Sequence, residues 1–160
     1  MQNEFAKNFN TERINSLLIN IDGAAKGNPG PAAIGILVRD RSGKILEEYK
    51  EFIGNSTNNF AEYKAAIRAL EIAMRYCRNT LYIFTDSKLL VNQLEGNYRI
   101  RKRHLMELLI QIKLLQGFFK NVRWFQVDRE KNGKADSLAN SMLNDKQEAN
   151  KAKSFEAGLR

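Results

Sequence analysis

"LLINIDGAAKGNPGPAAIGILV", Leu17 to Val38, is the stretch whose reading decides the fold. Leu17–Ile21 is a short apolar run with β-branched residues, which reads as a strand. It ends on one acid, Asp22. The loop "GNPGP" (Gly27–Pro31) follows, and Ala32–Arg39 begins a second strand. The loop is no phosphate cradle. Lys26 precedes Gly27 where a P-loop needs Lys after its last Gly, and no Ser or Thr follows in place. A dinucleotide fingerprint would open a helix, whereas this loop opens a strand. The glycines and prolines are read as a tight turn, with Pro29 setting φ and Gly30 free to take a positive φ. The amide of Asn28 is left to read a ligand edge.

Working outward, "DRSGK" (Asp40–Lys44) carries a Ser-Gly turn, and Ile45–Phe52 is a third strand. The three form an antiparallel meander. The period then changes. Phe60, Tyr63, Ala66, Ile67, Leu70, Ala73 and Met74 recur by threes and fours, which predicts an amphipathic helix behind the N-cap residue types Thr57, Asn58 and Asn59. Thr80–Phe84 is a contiguous apolar strand, expected to be buried on both faces. Ser87–Leu94 reads as a short helix closed by Gly96. Leu105–Phe118 is a third helix, Val122–Val127 a fifth strand, and Ala135–Leu143 starts a last helix. The order implies an α/β fold, one five-stranded mixed sheet flanked by helices. Residues 1–15 are expected to be a flexible lead-in, 16–144 the domain, and 145–160 a charged tail or helix extension.

The 160 residues suit one domain, and 43% apolar with 28% charged residues is ordinary for a globular chain. No apolar run approaches the roughly 20 residues that span a bilayer. The polar start, Met1–Ser16, lacks the apolar centre of a secretory signal, so a cytoplasmic protein without membrane attachment is expected. One Cys (Cys77) and one His (His104) exclude an internal disulfide and a Cys/His zinc site. Cys77 is expected to pack as a small hydrophobe. Any metal must then be held by carboxylates, which favours Mg2+ or Mn2+. A net charge of +8 points to a polyanionic partner, nucleic acid first.

Four acids stand at strand ends or helix starts. Asp22 ends the first strand and Asp86 follows the fourth. Glu62 and Asp136 are read into the first turns of the first and last helices. In an open sheet such places converge on one edge, where ligands bind. A helix start can stabilise Glu62 or Asp136 by about 0.3–1 kcal/mol with no ligand at all. Asp22 and Asp86 have no such excuse, because an acid beside a buried apolar strand costs desolvation unless paired or bound to a cation. Four carboxylates brought together repel, and divalent cations relieve that repulsion.

These residues carry a resemblance. "DGAAKGNPGPAAIG" (22–35), "TNNFAEYKAAIRAL" (57–70), "YIFTDSKLLVNQL" (82–94) and "VDREKNGKADSLAN" (127–140) resemble the four signature blocks of ribonuclease H type 1, in order and spacing. The resemblance covers about residues 16–144. It implies a five-stranded sheet with the first three strands antiparallel. It implies an endonuclease that cuts the RNA strand of RNA–DNA hybrids, leaving 5′-phosphate and 3′-hydroxyl ends. It further implies two Mg2+ or Mn2+ ions held by Asp22, Glu62, Asp86 and Asp136, with Asp22 bridging both. Asn28, Asn58 and Asn59 match the family's minor-groove contacts, and Thr57 a position near the DNA-strand phosphate. The partner is a hybrid duplex, and the protein is expected to be a monomer.

The chain departs from the pattern in places. Lys88 stands where many members have Gln, and it can reach a phosphate. Many members carry a His before the last acid. This loop has none, which leaves Arg129, Glu130 and Asn132 to stand in for it; His104 starts a different helix. The basic protrusion of some members is missing, since only "YRIRKRH" (98–104) separates Gly96 from the next helix. Its Arg99, Arg101, Lys102 and Arg103 are read as a backbone-contact patch. The lead-in is expected to be too short for the separate hybrid-binding domain of some relatives. The rival readings are a resolvase-, transposase- or integrase-type nuclease, a non-catalytic hybrid-binding module, and a basic structural protein. "GNPG" and "TNN" oppose the first, and the four acids oppose the other two.

Overall fold

The computed structural model describes residues 14–160, so the expected lead-in lies outside the described residues apart from Ile14 and Asn15. In chain order the elements are β1 (Ser16–Ala25), β2 (Gly30–Asp40), β3 (Ile45–Ser56), α1 (Asn58–Ala73), β4 (Thr80–Thr85), α2 (Lys88–Leu94), α3 (Arg103–Gln116), β5 (Asn121–Gln126), a 3-10 turn (Arg129–Asn132) and α4 (Gly133–Gly158). The strands form one sheet in the order β3-β2-β1-β4-β5. β2 is antiparallel to both β1 and β3, while β4 runs parallel to β1 and β5 parallel to β4. This is the expected mixed sheet with its antiparallel meander.

Alternation sorts the two faces. Leu17, Ile19 and Ile21 of β1 share one face with Ile34, Ile36, Val38, Leu81 and Ile83, all at most 1% exposed. α1 packs there through Tyr63, Ala66 and Leu70, and Leu90, Leu105 and Ile112 bring α2 and α3 into the same core. Each such buried Leu or Ile is worth about 1.5–3 kcal/mol. Cys77 packs into this core, as its size suggested. The opposite face is covered by α4 over β1, β2 and β3.

Two glycines set how closely the helices sit. A Cβ on Gly35 would lie 2.2 Å from the Ala135 carbonyl oxygen and 2.7 Å from the Ala139 nitrogen of α4. A Cβ on Gly23 would lie 2.4 Å from the Ala61 carbonyl carbon of α1. Both flank Asp22, since Gly35 is its register partner and Gly23 its neighbour.

Three local expectations change. β1 does not end at Asp22, because Asp22–Ala25 continue to pair with Ala32–Gly35 of β2; the parallel pairing with β4 stops at Asn20–Phe84. The left-handed residue of the turn is Gly27 (φ 95°), not Gly30, and the Asn28–Pro29 bond is cis. Gly30 is needed for closeness, as its Cβ would fall 1.8 Å from the Lys26 carbonyl oxygen. Thr57 alone caps α1, its Oγ1 accepting from the Phe60 N–H at 3.2 Å, so Asn58 and Asn59 are the first residues of the helix. Thr57→Ala should therefore lower stability by about 1 kcal/mol, seen as a lower urea midpoint at unchanged slope.

Candidate active site

β1 outruns β4 by a few residues, and the site is built in that step. Extending the Asn20–Phe84 register by two places sets Asp22 opposite Asp86, just past the end of β4. From the other side Gly23 lets the backbone of α1 approach at Ala61 and Glu62. Carboxylate oxygens of Asp22, Glu62 and Asp86 consequently all lie within 4.8 Å of one another. Asp22 and Glu62 are each only 4% exposed. Asp136, in the first turn of α4, lines the same cavity of about 370 Å³ but stands outside this tight triad. Its Oδ1 accepts from Asn140 Nδ2 at 3.1 Å and lies 3.6 Å from the Arg129 guanidinium. Glu62 is not in the first turn of α1 but at its fifth residue, so the helix start does not account for it.

Burial and like charge set the electrostatics of the triad. Burial, then the charge of Asp86, pushes the Asp22 carboxyl up to about 8. Burial, then Asp22 and Asp86, holds Glu62 well above the usual carboxylate range, against a hydrogen bond from the Gly23 N–H. Glu62 Oε2 is buried with no hydrogen-bond partner. Such an oxygen is costly unless something positive meets it. An all-carboxylate donor set with an orphaned buried oxygen fits a hard divalent cation such as Mg2+ or Mn2+, and does not suit zinc-type N/S coordination.

Beside this cavity lies a second of about 260 Å³, lined by Asn28, Thr57, Asn59, Gln93, Arg99, Arg101, Lys102 and Leu105. Asn58 belongs to the rim of the first, so the two adjoin at the start of α1. Asn28 Oδ1 accepts from the Asn58 N–H at 3.0 Å, which fastens the 27–31 turn to that helix start. Asn59 Oδ1 is buried and unpartnered. Six of the residues expected to touch substrate thus meet in one groove.

Others do not. Lys88 and Glu130 are exposed and line neither cavity. Arg103 pairs with Glu107 at 3.3 Å along the surface of α3. Asn132 is 1% exposed: its Nδ2 donates to the Ile21 carbonyl at 2.8 Å and its Oδ1 accepts from Asn20 Nδ2 at 3.1 Å. It braces the 129–132 turn against β1 and cannot face the cavity as a substitute for His. Of that loop, only Arg129 reaches the acids. Sequence reading missed Ser87, Asn140 and Gln93. Asn140 was findable, four residues after Asp136 on one helix face. Gln93 looks like a misplaced polar residue on the buried stripe of α2; its Oε1 accepts from the Tyr63 O–H at 2.8 Å.

Residues 20–142 match the family described as reverse transcriptase-like. Among curated relatives, the bifunctional protein Rv2228c of Mycobacterium tuberculosis is 36% identical over 129 residues, 79% of this chain and 35% of that protein. The chain therefore spans about a third of that relative's length. Among solved structures, RNase H1 from the halophilic archaeon Halobacterium salinarum superimposes with a TM-score of 0.79 at 36% identity, covering 81% of this chain and 98% of that one. LC11-RNase H1 in complex with an RNA/DNA hybrid gives a TM-score of 0.75 at 37% identity over 78% of this chain and 94% of that one.

Proposed function

The chain belongs to the ribonuclease H type 1 family, and on that premise we propose that it hydrolyses the RNA strand of RNA–DNA hybrids endonucleolytically, leaving 5′-phosphate and 3′-hydroxyl ends. The observation that carries this reading is the convergence of Asp22, Glu62 and Asp86 within 4.8 Å beside a groove of amides and cations. The similarity to an RNase H1 bound to an RNA/DNA hybrid supports the choice of substrate.

Asp22, Glu62, Asp86 and Asp136 would hold two Mg2+ or Mn2+ ions. When bound, these supply Lewis acidity at the phosphate and a water of lowered pKa. The chain's own residues do the rest. The buried triad fixes three carboxylates on rigid elements, so little reorganisation accompanies the reaction. Arg129 stands at the mouth of the cavity beside Asp136, where its charge favours an approaching phosphate. Asn28, Asn58 and Asn59 present amides to sugar and base edges without demanding one sequence, and the RNA 2′-hydroxyl is the group that marks the strand to be cut. Thr57, Arg99, Arg101 and Lys102 line the groove for the duplex backbone. Residues 16–144 form the catalytic unit, which we take to act as a monomer in the cytoplasm. No helix among the described residues is long and apolar enough to cross a membrane.

The deciding experiment offers labelled RNA–DNA hybrid, duplex RNA and duplex DNA with Mg2+, Mn2+ or EDTA. Cutting of the RNA strand of the hybrid alone, abolished by EDTA, is expected. Cutting of duplex DNA, or hybrid binding without cutting in either metal, would overturn the reading. Changing Arg99, Arg101 and Lys102 together to Gln should weaken hybrid binding and flatten its salt dependence. Each phosphate that is no longer neutralised takes about 0.9 off the log–log slope, on the B-form scale.

A further inference from the structure

The sheet face that carries Asp22 is only half covered. Paired residues share a face, so Gly35, Asp22 and Asn20 lie on the same side as Phe84 and Tyr82 of β4, and these in turn with Phe125 and Arg123 of β5. α4 seats on the β2 part of this side at Gly35. Across β4 and β5 the side chains instead form an aromatic surface. The Phe84 and Phe125 rings stack with centroids 5.4 Å apart and 22° between planes, and Tyr82 and Phe125 with 6.3 Å and 26°. Phe125 is 39% exposed, and Arg123 beside Tyr82 is exposed as well. β5 is the sheet edge, so nothing further in the sheet flanks it.

Flat rings with a neighbouring cation on an open sheet suit unpaired bases and their phosphates, because every base has a face to stack and every linkage a charge to meet. The surface is continuous with the acidic cavity: Phe84 lies two residues before Asp86, about 7 Å along the strand, and Arg129 of that cavity follows β5 by three residues. We propose that Tyr82, Phe84, Phe125 and Arg123 hold an unpaired stretch of the RNA strand where it emerges from a hybrid seated on the acids. The choice of RNA over DNA rests on the ribonuclease reading above, in which the strand at Asp86 is the RNA.

The test is fluorescence anisotropy of the full chain in EDTA with three hybrids: blunt, extended by about ten RNA nucleotides, and extended by as many DNA nucleotides on the other strand. The RNA extension should tighten binding on the order of tenfold relative to blunt. Phe125→Ala should bring that ratio near one, and Phe125→Tyr should keep it; matching circular dichroism and melting temperature would show both variants folded. A ratio near one in the wild type, a ratio kept by Phe125→Ala, or a gain from the DNA extension alone would overturn the proposal. The oligoribonucleotide alone, bound by wild type and not by Phe125→Ala, supports the surface even where blunt hybrid is neither bound nor cut. That last pattern separates a failure of the ribonuclease reading from a failure of this one.

Discussion

Asp22→Asn is expected to lower hybrid cleavage about a thousandfold or more and, in EDTA, to melt at a higher temperature than the wild type. The first effect follows from losing a carboxylate at the centre of the triad, where several kcal/mol of transition-state charge stabilisation is at stake. The second follows from burial and like charge. Asp22 sits folded with its carboxyl raised from 3.8 to about 8. Between those values the folded chain binds a proton that the unfolded chain has released, so metal-free stability falls as pH rises from about 4 to about 8. An amide neither ionises nor repels Glu62 and Asp86, so the variant should lose much of that decline. Thermal melts at pH 5 and pH 8 in EDTA check it. Added Mg2+ should stabilise the wild type by preferential binding to the native state and do less for Asp22→Asn. A variant that cleaves hybrid at the wild-type rate would remove Asp22 from the mechanism.

Gly35→Val is expected to destabilise the protein by about 3 kcal/mol or more and to cripple whatever folds. Its first added carbon already collides with the backbone of α4 at Ala135 and Ala139. Backbone cannot swing aside as a side chain can, so the helix must lift, at or beyond the upper end of ordinary overpacking costs. That helix carries Asp136, and a displacement of roughly 1 Å at a reacting centre costs about a hundredfold in rate. Gly43→Ala is the contrast: its φ of 91° adds strain, but no atom lies within 4 Å of the new methyl. Urea melts of the two variants should separate clearly. An unchanged midpoint for Gly35→Val would mean that α4 does not rest on β2 as described.

Much of this was legible before any coordinates. The order of elements along the chain and the helix stripes follow from apolar periodicity. The four acids follow from their places at strand ends and helix starts, of which only Asp22 and Asp86 lack a helix-start explanation. What misled was local. Asp22 looked like a strand end because the apolar run stops there, but the extent of β1 is set by its β2 partner, and a site carboxylate can sit inside a strand where one neighbour has already finished. Glu62 was drawn one turn too early because three capping residues stand in a row and only Thr57 caps. Asn132 looked free in a loop rich in polar residues; its two hydrogen bonds run to β1, far away in sequence. The four cations of 99–103 look alike on paper, yet the start of α3 sends Arg103 along the helix surface and leaves Arg99, Arg101 and Lys102 on the groove. The contiguous apolar run Thr80–Phe84 suggested burial on both faces, but only one face is buried: Tyr82 and Phe84 stay half-buried. Apolar content along a strand does not show whether a helix reaches its second face, and so the aromatic surface was missed.

The step between β1 and β4 also sets a timetable for folding. The β1–β2–β3 meander closes through neighbouring segments and is topologically quick, whereas the acid triad exists only after β1 has found β4 across the chain and α4 has settled on Gly35. Trp124, the one tryptophan, donates from Nε1 to Gln116 Oε1 at 2.7 Å and packs against the central core, so its signal reports closure of that core. In refolding, catalytic competence should return after the tryptophan signal, as the last property of the chain to be restored.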